Sequence, residues 1–363
     1  MKRILFLAAD LCSGGAERQM VTVACLLKKK GHSVTVYCYD KADFYAHILN
    51  DAGISIVWDY EPNNYLKRLS KVRKFVRKGH FDAVISFLPT CNFLNDVAAI
   101  GRKKWKVITG ERSSRKSTFT SRRGKFFGWF QRYTDFIVCN SQNACNMWKK
   151  HYPNYADKLK VIYNSVQIGT IQSRYEPKVD GKLHIIVAAT YQYLKNPLGL
   201  VEALSLMSDE ERDRIVVEWY GRKEMSRGDT RAYDETIEAV AKNGLEKVLM
   251  LHSDTKEIAD KMNQADAVML LSKFEGLPNV ICEGMTIGKP IIMTRVSDYQ
   301  VLVDESNGFL CDWNKPESIK EAILKMAALS KEQLQTMGQH SKEIASILFS
   351  KDAISQNWEA IIN

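Results

Sequence analysis

Apolar, strand-like runs alternate with helical patterns along nearly the whole sequence, and this alternation constrains the fold more than any other feature. The chain opens with an apolar run over residues 4–9, a helical pattern over 16–30 and a β-branched run over 34–39. Strand, helix and strand in this order form the repeating unit of a parallel sheet. Further strand-like runs follow at 54–58, 83–87, 107–109, 136–139 and 161–163. The first half therefore predicts a doubly wound parallel sheet.

The alternation breaks once and then resumes. Residues 164–182 form a polar stretch that contains Pro177 and Gly181, and a strand-like run over 184–189 follows it. The later strand-like runs lie at 215–219, 248–251, 267–271 and 290–293. Because 363 residues exceed the usual size of one hydrophobic core, the sequence predicts more than one domain.

We therefore predict an α/β protein of two doubly wound, Rossmann-like domains that face each other across a cleft. The first domain is expected over residues 1–170, a linker over 171–182 and the second domain over 183–343. The last helical stretch, 344–363, is predicted to pack back on the first domain.

The composition excludes several classes of protein. A hydrophobic fraction of 45% and a charged fraction of 26% are those of an ordinary globular chain. No apolar run is long enough to span a bilayer, and the run over 4–9 ends at Asp10, so it predicts a strand and not a signal peptide. The eight scattered cysteines include no Cys-x-x-Cys pair, and we predict that they are buried free thiols of a cytoplasmic protein.

Open parallel sheets bind ligands beyond the carboxyl ends of their strands, so the loops there are the places to search. Gly14 and Gly15 follow the first strand and precede a helix, whose N-terminus favours a phosphate group. A tight turn is the alternative explanation of these glycines. Lys195 follows the strand over 184–189 and precedes Pro197, a residue suited to a first helical turn, so that it could neutralise a diphosphate. A solvated surface lysine is the alternative.

The segment from Glu275 to Glu283 carries the strongest signal. It follows a buried strand, and Gly276 and Pro278 hold Glu275 in a loop before a helix that is predicted to start near Pro278. One carboxylate then reaches a ligand from the loop and the other reaches it from the helix. Carboxylates accept hydrogen bonds from sugar and ribose hydroxyls, and the helix N-terminus between them accepts a diphosphate. This arrangement is what a nucleotide-linked sugar requires.

The two glutamates in the frame Glu-Gly-Leu-Pro resemble the double-glutamate motif of retaining glycosyltransferases of the two-Rossmann (GT-B) type, family 4. Further motifs agree in their order along the chain: Gly14-Gly15-Ala16-Glu17, Val161-Ile162-Tyr163-Asn164, Lys195-Asn196, Gly288-Lys289-Pro290 and Asn307-Gly308-Phe309-Leu310. The resemblance covers nearly the whole chain.

The resemblance implies a role for each matching side chain. Glu283 would bind the ribose hydroxyls, Glu275 the transferred sugar and Lys195 the diphosphate, with Lys195 and Glu275 as catalytic residues. The leaving diphosphate would deprotonate the acceptor on the same face of the sugar, so that the anomeric configuration is retained. No cofactor and no metal are implied, and the seven histidines and the carboxylates form no recognisable ligand cluster in the sequence.

The backbone of the same loops would complete the donor site. Gly276 and Leu277 would meet the sugar, followed by Pro278 and Asn279 at the helix start. The Gly14–Gly15 loop would lie against the donor phosphate. The frequency of donors in the family makes UDP the expected nucleotide.

The chain departs from the family pattern at two places. Thr190 stands where the family commonly has an arginine that helps to bind the diphosphate, and Arg222 is a candidate substitute, with surface charge as its alternative. The loop on the base side, where a glycine is usual, reads His252-Ser253-Asp254, so Ser253 is the expected contact there.

A fourth loop, Gly110-Glu111-Arg112-Ser113, follows the predicted strand over 107–109. It resembles a Ser-Glu-Arg-Asn segment on the acceptor side of some of these transferases. Glu111 and Arg112 are therefore candidate catalytic residues that orient the acceptor or contact the donor. A local salt bridge is the alternative.

Much of the net charge of +10 lies between Arg102 and Arg132. This basic strip contains eleven cations: Arg102, Lys103, Lys104, Lys106, Arg112, Arg115, Lys116, Arg122, Arg123, Lys125 and Arg132. Aromatic residues interleave at its end, from Phe119 to Tyr133. The pattern predicts a segment that lies on an anionic membrane surface. The alternative is that the aromatic side chains pack into the first domain.

Other functions explain fewer of these features. An NAD-dependent oxidoreductase would fit the opening strand, glycine loop and Asp40, but Gly14-Gly15 is not Gly-x-Gly-x-x-Gly and both glutamates stay unexplained. A nucleic-acid-binding protein would use the basic strip alone. A third alternative is an inactive relative that lacks the arginine near Thr190.

The sequence thus predicts a retaining, metal-independent hexosyltransferase. It would move a sugar from a nucleotide-sugar, with UDP expected, to a lipid-linked or polysaccharide acceptor in surface glycan biosynthesis. We expect it in the cytoplasm, peripheral on the inner face of the cell membrane, with no nucleic-acid partner.

Overall fold

The computed structural model describes residues 1–61, 64–112, 117–166, 168, 171, 174–224 and 228–363. Several predicted features lie outside these residues: Ser113 of the fourth loop, Arg115 and Lys116 of the basic strip, and residues 172–173 of the linker. The chain divides into two compact units, the first formed by Met1–Ser165 with Ser350–Asn363 and the second by Val166–Phe349.

The first unit is built on a parallel sheet of seven strands in the order β3-β2-β1-β4-β5-β6-β7. The strands are β1 Arg3–Ala8, β2 Ser33–Cys38, β3 Ser55–Trp58, β4 Ala83–Ser86, β5 Lys106–Glu111, β6 Phe136–Cys139 and β7 Leu159–Val161. The order reverses between β1 and β4, the kind of position at which open α/β sheets bind ligands. Buried apolar side chains such as Ile4, Phe6 and Val36 form its core.

Helices cover this sheet. They are α1 Gly15–Lys29, α2 Ala46–Asp51, α3 Tyr65–Lys78, α4 Pro89–Ala99, α5 Ser117–Thr120, α6 Arg122–Phe130, α7 Gln142–His151 and, from the chain end, α16 Lys351–Ile362. Trp358 of α16 is only 1% exposed and its ring lies 5.7 Å from that of Phe87. The C-terminal helix is therefore part of the core of the first unit.

The second unit contains a parallel sheet of six strands in the order β10-β9-β8-β11-β12-β13. The strands are β8 Leu183–Ala188, β9 Ile215–Tyr220, β10 Leu249–His252, β11 Ala267–Leu270, β12 Ile291–Thr294 and β13 Gly308–Cys311. The helices are α8 Pro197–Ser205, α9 Asp209–Arg212, α10 Arg231–Lys242, α11 Ile258–Gln264, α12 Asn279–Ile287, α13 Tyr299–Leu302, α14 Pro316–Ala327 and α15 Lys331–Phe349. Its strand order reverses between β8 and β11.

The structure places a strand at every predicted run, although β7 ends at Val161, the first residue of the run predicted over 161–163. It differs from the predictions in four further respects. Strand β5 extends through Gly110 and Glu111, which were predicted to lie in a loop, and β13 was not predicted as a strand. The helical stretch predicted over 344–363 is the end of α15 and the whole of α16, separated by Ser350. Cys12 and Cys25 are partly exposed, while the other cysteines are buried as predicted.

Among the residues that the structure describes, no helix is both long enough and apolar enough to cross a bilayer.

Candidate active site

The clearest constellation lies where the strand order of the second sheet reverses. Lys195 follows β8 and Glu275 follows β11, and these two strands are neighbours in the sheet. The Nζ atom of Lys195 donates a hydrogen bond to Oε1 of Glu275, and the side chains are only 21% and 14% exposed. Residues far apart in sequence are thus brought together at the position where open α/β sheets bind ligands.

The backbone around Lys195 explains its placement. The residue ends a short 3₁₀ turn, and Asn196 then takes a left-handed conformation with φ 64° and ψ 43°. This turn redirects the chain so that Pro197 occupies the first position of α8, where its missing N–H is not needed. The backbone N–H of Lys273 donates to the carbonyl of Leu194 at 2.8 Å, which ties the Lys195 loop to the Glu275 loop.

The Glu275 loop is held by two serines that the sequence analysis did not single out. Ser272 is fully buried, and its hydroxyl donates to Oε1 of Glu275 at 2.6 Å. The hydroxyl of Ser297 donates to the carbonyl of Gly276. Glu275 therefore accepts from both Lys195 and Ser272, which fixes its carboxylate before any ligand arrives. The position of Ser272 directly after a buried strand was the available sequence signal.

Helix α12 begins at Asn279, with Pro278 as its N-cap residue, as predicted. Leu277 is 7% exposed and anchors the loop before the helix. Glu283 is the fifth residue of α12 and is half-buried, so it lies between the first and second turns as predicted. The unit thus combines a loop carboxylate, a helix N-terminus that favours anions, and a second carboxylate on the same helix.

The remaining predicted residues of the second unit lie in the neighbouring loops. Thr190 is half-buried and its hydroxyl accepts from Nε2 of Gln192 at 2.8 Å, whereas Arg222 and Ser253 are exposed. A Cβ atom at Gly221 would lie 1.9 Å from the carbonyl oxygen of Ala189, so the loops after β8 and β9 approach closely only because this residue is glycine.

In the first unit, the predicted Gly14–Gly15 loop joins β1 to α1. Gly14 is the N-cap residue of α1, and the carboxylate of Glu17 folds back against it. Asp10, Cys12 and Glu17 each offer one oxygen or sulfur ligand atom, and these atoms lie within 4.8 Å of one another. No sequence motif predicted this cluster. Burial, with a hydrogen bond to Asp10, raises the pKa of Cys12 to about 11, so its thiol is protonated at neutral pH.

Glu111 and Arg112 lie at the end of β5 and make different contacts. Glu111 is 8% exposed, and its Oε2 accepts from Nε1 of Trp148 at 3.2 Å. The guanidinium of Arg112 lies 3.7 Å from the centre of the Phe87 ring, and its Nη1 donates to Oδ1 of Asn164 at 3.2 Å. Both side chains are thus held by the first unit.

The fold and the family follow from comparison with known proteins. The crystal structure of Anabaena Alr3699/HepE in complex with UDP superposes with a TM-score of 0.83 at 18% identity, covering 100% of this chain and 99% of that one. The chain therefore has the GT-B fold of two Rossmann-like units. Residues 13–169 match the model of Glycosyltransferase Family 4, and residues 170–344 match that of glycosyl transferases group 1. The chain belongs to this family of glycosyltransferases, which confirms the resemblance seen in its motifs.

Two curated proteins illustrate the sequence similarity. An uncharacterized glycosyltransferase of Methanocaldococcus jannaschii is 33% identical over 121 residues, and the match spans 32% of this chain and only 34% of that protein. The alpha-1,4-N-acetyl-D-galactosaminyltransferase of Campylobacter jejuni, named for GalNAc-alpha-(1->4)-GalNAc-alpha-(1->3)-diNAcBac-PP-undecaprenol, is 24% identical over 293 residues. That match covers 78% of this chain and 77% of that protein.

Proposed function

We propose that the chain is a retaining, metal-independent glycosyltransferase that moves a sugar from a UDP-sugar to a lipid-linked glycan in surface glycan biosynthesis. The observation that carries the proposal is the contact between Lys195 and Glu275 where the second sheet reverses its order, beside the N-terminus of α12. Lys195 would neutralise the diphosphate, Glu275 would hold the transferred sugar and Glu283 would bind the ribose. The crystal structure of HepE is a complex with UDP, which supports UDP as the nucleotide of the proposed donor.

The name of the Campylobacter relative supports an acceptor that is linked to a lipid through diphosphate. We assign retention of configuration and independence of metal to this chain because its motifs match those of the retaining family.

The donor is tested by thermal-shift titration of the protein against UDP, GDP, ADP and NAD, with and without Mg²⁺ and Mn²⁺. A ligand at 100 times its Kd adds about 2.7 kcal/mol of stability, which shifts the midpoint measurably. We expect a shift with UDP that metal does not change. A shift with NAD alone would refute the transferase proposal, and a shift that requires metal would refute metal independence.

Replacement of Glu283 by alanine is expected to weaken UDP binding about 10- to 100-fold. A carboxylate that accepts hydrogen bonds from ribose hydroxyls contributes roughly 1.5–3 kcal/mol as a charged partner. Isothermal titration calorimetry with UDP measures the change. The matched control is Glu246→Ala, a glutamate on the exposed surface of the same unit. Equal affinities in Glu283→Ala and the control would remove the ribose role from Glu283.

The membrane-facing part of the proposal rests on an exposed apolar surface. Phe126 and Trp129 of α6 are 52% and 49% exposed, and Leu66 of α3 is 78% exposed. The rings of Tyr65 and Phe126 both pack against Phe93, with centroids 6.3 Å and 5.5 Å away, so α3 and α6 form one surface. Helix α3 has the sequence YLKRLSKVRKFVRK, with no acidic residue. Exposed apolar rings among cations suit an anionic bilayer at the cytoplasmic face.

Simultaneous replacement of Arg122, Arg123 and Lys125 by serine is expected to lower binding to vesicles of phosphatidylglycerol and phosphatidylcholine. Each cation near such a surface contributes about 1 kcal/mol, so the loss is at least tenfold at low salt. A co-sedimentation assay measures it, with Lys242, Lys247 and Lys331 replaced by serine as a charge-matched control. UDP affinity should not change. Vesicle binding equal to that of the control would assign the α6 cations a structural role only.

A further inference from the structure

Arg112 has hydrogen-bonding capacity that the described protein does not use. Its Nη1 atom donates to Asn164, but Nε and Nη2 are shielded from solvent and have no partner in the part of the chain that the structure describes. Burial lowers the pKa of Arg112 to about 10, so the guanidinium remains charged at neutral pH. A cation with two shielded donor nitrogens that lack partners calls for an anion or another acceptor.

Three further unpaired atoms belong to the same network. Oε1 of Gln19, Oδ1 of Asn140 and Oγ of Ser165 are buried and have no partner among the described residues. Nδ2 of Asn140 donates to the carbonyl of Arg112 at 3.4 Å, and Nε2 of Gln19 donates to the carbonyl of Ser165 at 3.1 Å. Ser165 directly follows Asn164, the partner of Arg112. The residues come from α1 and from the segments that follow β5, β6 and β7.

The hydrogen bonds also determine which side-chain amide atoms of Gln19 and Asn140 are left to contact a ligand. Each amide nitrogen already donates to a backbone carbonyl, so the unpaired atoms of Gln19 and Asn140 are oxygens and accept hydrogen bonds. The network therefore presents two guanidinium nitrogens that donate, two amide oxygens that accept and one hydroxyl that serves either role. Native proteins rarely leave so many connected buried polar atoms unpaired.

We propose that Gln19, Arg112, Asn140 and Ser165 form a subsite for a phosphate group carried on a sugar. The phosphate oxygens accept from Arg112 and Ser165, and sugar hydroxyls donate to the oxygens of Gln19 and Asn140. The subsite lies beyond the carboxyl ends of the first sheet, where such sheets bind ligands. The carboxylate of Glu111, the neighbouring anion, is held by Trp148 on α7.

The proposal rests on the transferase function proposed above, which supplies two molecules of this chemistry. One is the nucleotide-sugar donor, and the other is a glycan linked to lipid through diphosphate. The subsite would bind the sugar and phosphate groups that both molecules contain, and the experiment distinguishes the two molecules.

The experiment compares wild type, Ser165→Ala and Arg112→Lys in thermal-shift titrations with glucose 1-phosphate, inorganic phosphate and glucose. Wild type should bind glucose 1-phosphate more tightly than phosphate, and glucose more weakly than either. Ser165→Ala removes a hydroxyl without a described partner, so the ligand-free midpoint should stay equal or rise while affinity for glucose 1-phosphate falls about fivefold. Arg112→Lys keeps the charge but loses the forked donors, and should lower the affinity at least tenfold.

Arg102→Gln, at an exposed position in the same unit, is the control for unspecific loss of charge. Repetition at saturating UDP identifies the source: competition assigns the subsite to the donor phosphate, and additive shifts assign it to the acceptor. If glucose 1-phosphate does not bind, or if Ser165→Ala loses stability but keeps the affinity, ordered water satisfies these atoms and the proposal is wrong. Because UDP is titrated in parallel, a missing UDP shift would refute the donor proposal separately from the subsite.

Discussion

Replacement of Lys195 by methionine is expected to lower kcat/KM for the UDP-sugar by about 10²- to 10³-fold. Departure of the diphosphate concentrates negative charge on its oxygens, and a fixed cation beside them stabilises the transition state more than the ground state. Loss of one such electrostatic contact at an active site costs about 2.7–4 kcal/mol. Methionine fills similar space without the charge. Release of UDP during slow hydrolysis of the donor measures the effect before the acceptor is known.

The ion pair of Lys195 leads to a second prediction for Lys195→Met. Lys195 pairs with Glu275, whose carboxylate also accepts from Ser272. If Lys195 binds the donor diphosphate as proposed, the diphosphate would share or replace this existing ion pair, and part of the binding energy would be spent on that exchange. The loss should thus be larger in kcat/KM than in the affinity for UDP alone, which the same calorimetric titration determines.

The matched control is Lys273→Met. Lys273 is exposed in the loop that leads to Glu275, and its Nζ lies 5.3 Å from the centre of the Trp313 ring. Its replacement should leave kcat/KM within about twofold, because an exposed charge outside the site is largely screened. Equal losses in the two variants would show that general loss of positive charge, and not the position of Lys195, controls the rate.

The elements around Lys195 and Glu275 could be predicted because their signals are local. Pro197 and Pro278 each mark a helix start in the sequence, and the structure begins α8 at Pro197 and α12 one residue after Pro278. Buried apolar runs of the right length gave the strands before them. The contact between Lys195 and Glu275 was not predictable from periodicity, because it depends on β8 and β11 being neighbours.

The end of β5 could not be predicted from local signals. Gly110 reads as a strand breaker, yet the chain continues as a strand because Gly110 pairs with Val138 and Glu111 with Cys139 of β6. A Cβ atom at position 110 would lie 2.8 Å from a ring carbon of Phe87, so glycine here allows close packing and does not mark a turn. Partners distant in sequence decided this boundary, and with it the positions of Glu111 and Arg112.

The division of the C-terminal helix carried a local signal that the sequence analysis missed. Ser350 caps α16, and its side chain accepts from the backbone N–H of Ala353 at 3.2 Å. A serine before an apolar, periodic run is a common helix start. The cap separates α15, which belongs to the second unit, from α16, which belongs to the first.

Trp358→Ala is expected to destabilise the first unit by about 3–5 kcal/mol, the usual cost of removing a fully buried tryptophan from a core. The ring is 1% exposed and stacks on Phe87 at an interplanar angle of 27°. The ring of Phe87 in turn makes a cation–π contact with the guanidinium of Arg112, with 3.7 Å between the guanidinium carbon and the ring centre. Loss of the tryptophan should therefore disturb the Arg112 network as well as the core.

Urea unfolding, followed with and without UDP, measures the effect of Trp358→Ala. Ligand binding stabilises the unit that binds it, so with the donor site proposed above UDP should shift the transition of the second unit, and the other transition then reports on the first. Trp358→Ala should move only the transition of the first unit. Ile347→Ala is the control, since this side chain of α15 is 72% exposed and its loss should cost less than about 0.5 kcal/mol. If Trp358→Ala changes the transition of the first unit no more than Ile347→Ala does, α16 contributes little to the stability of that unit despite its burial, and the prediction is wrong.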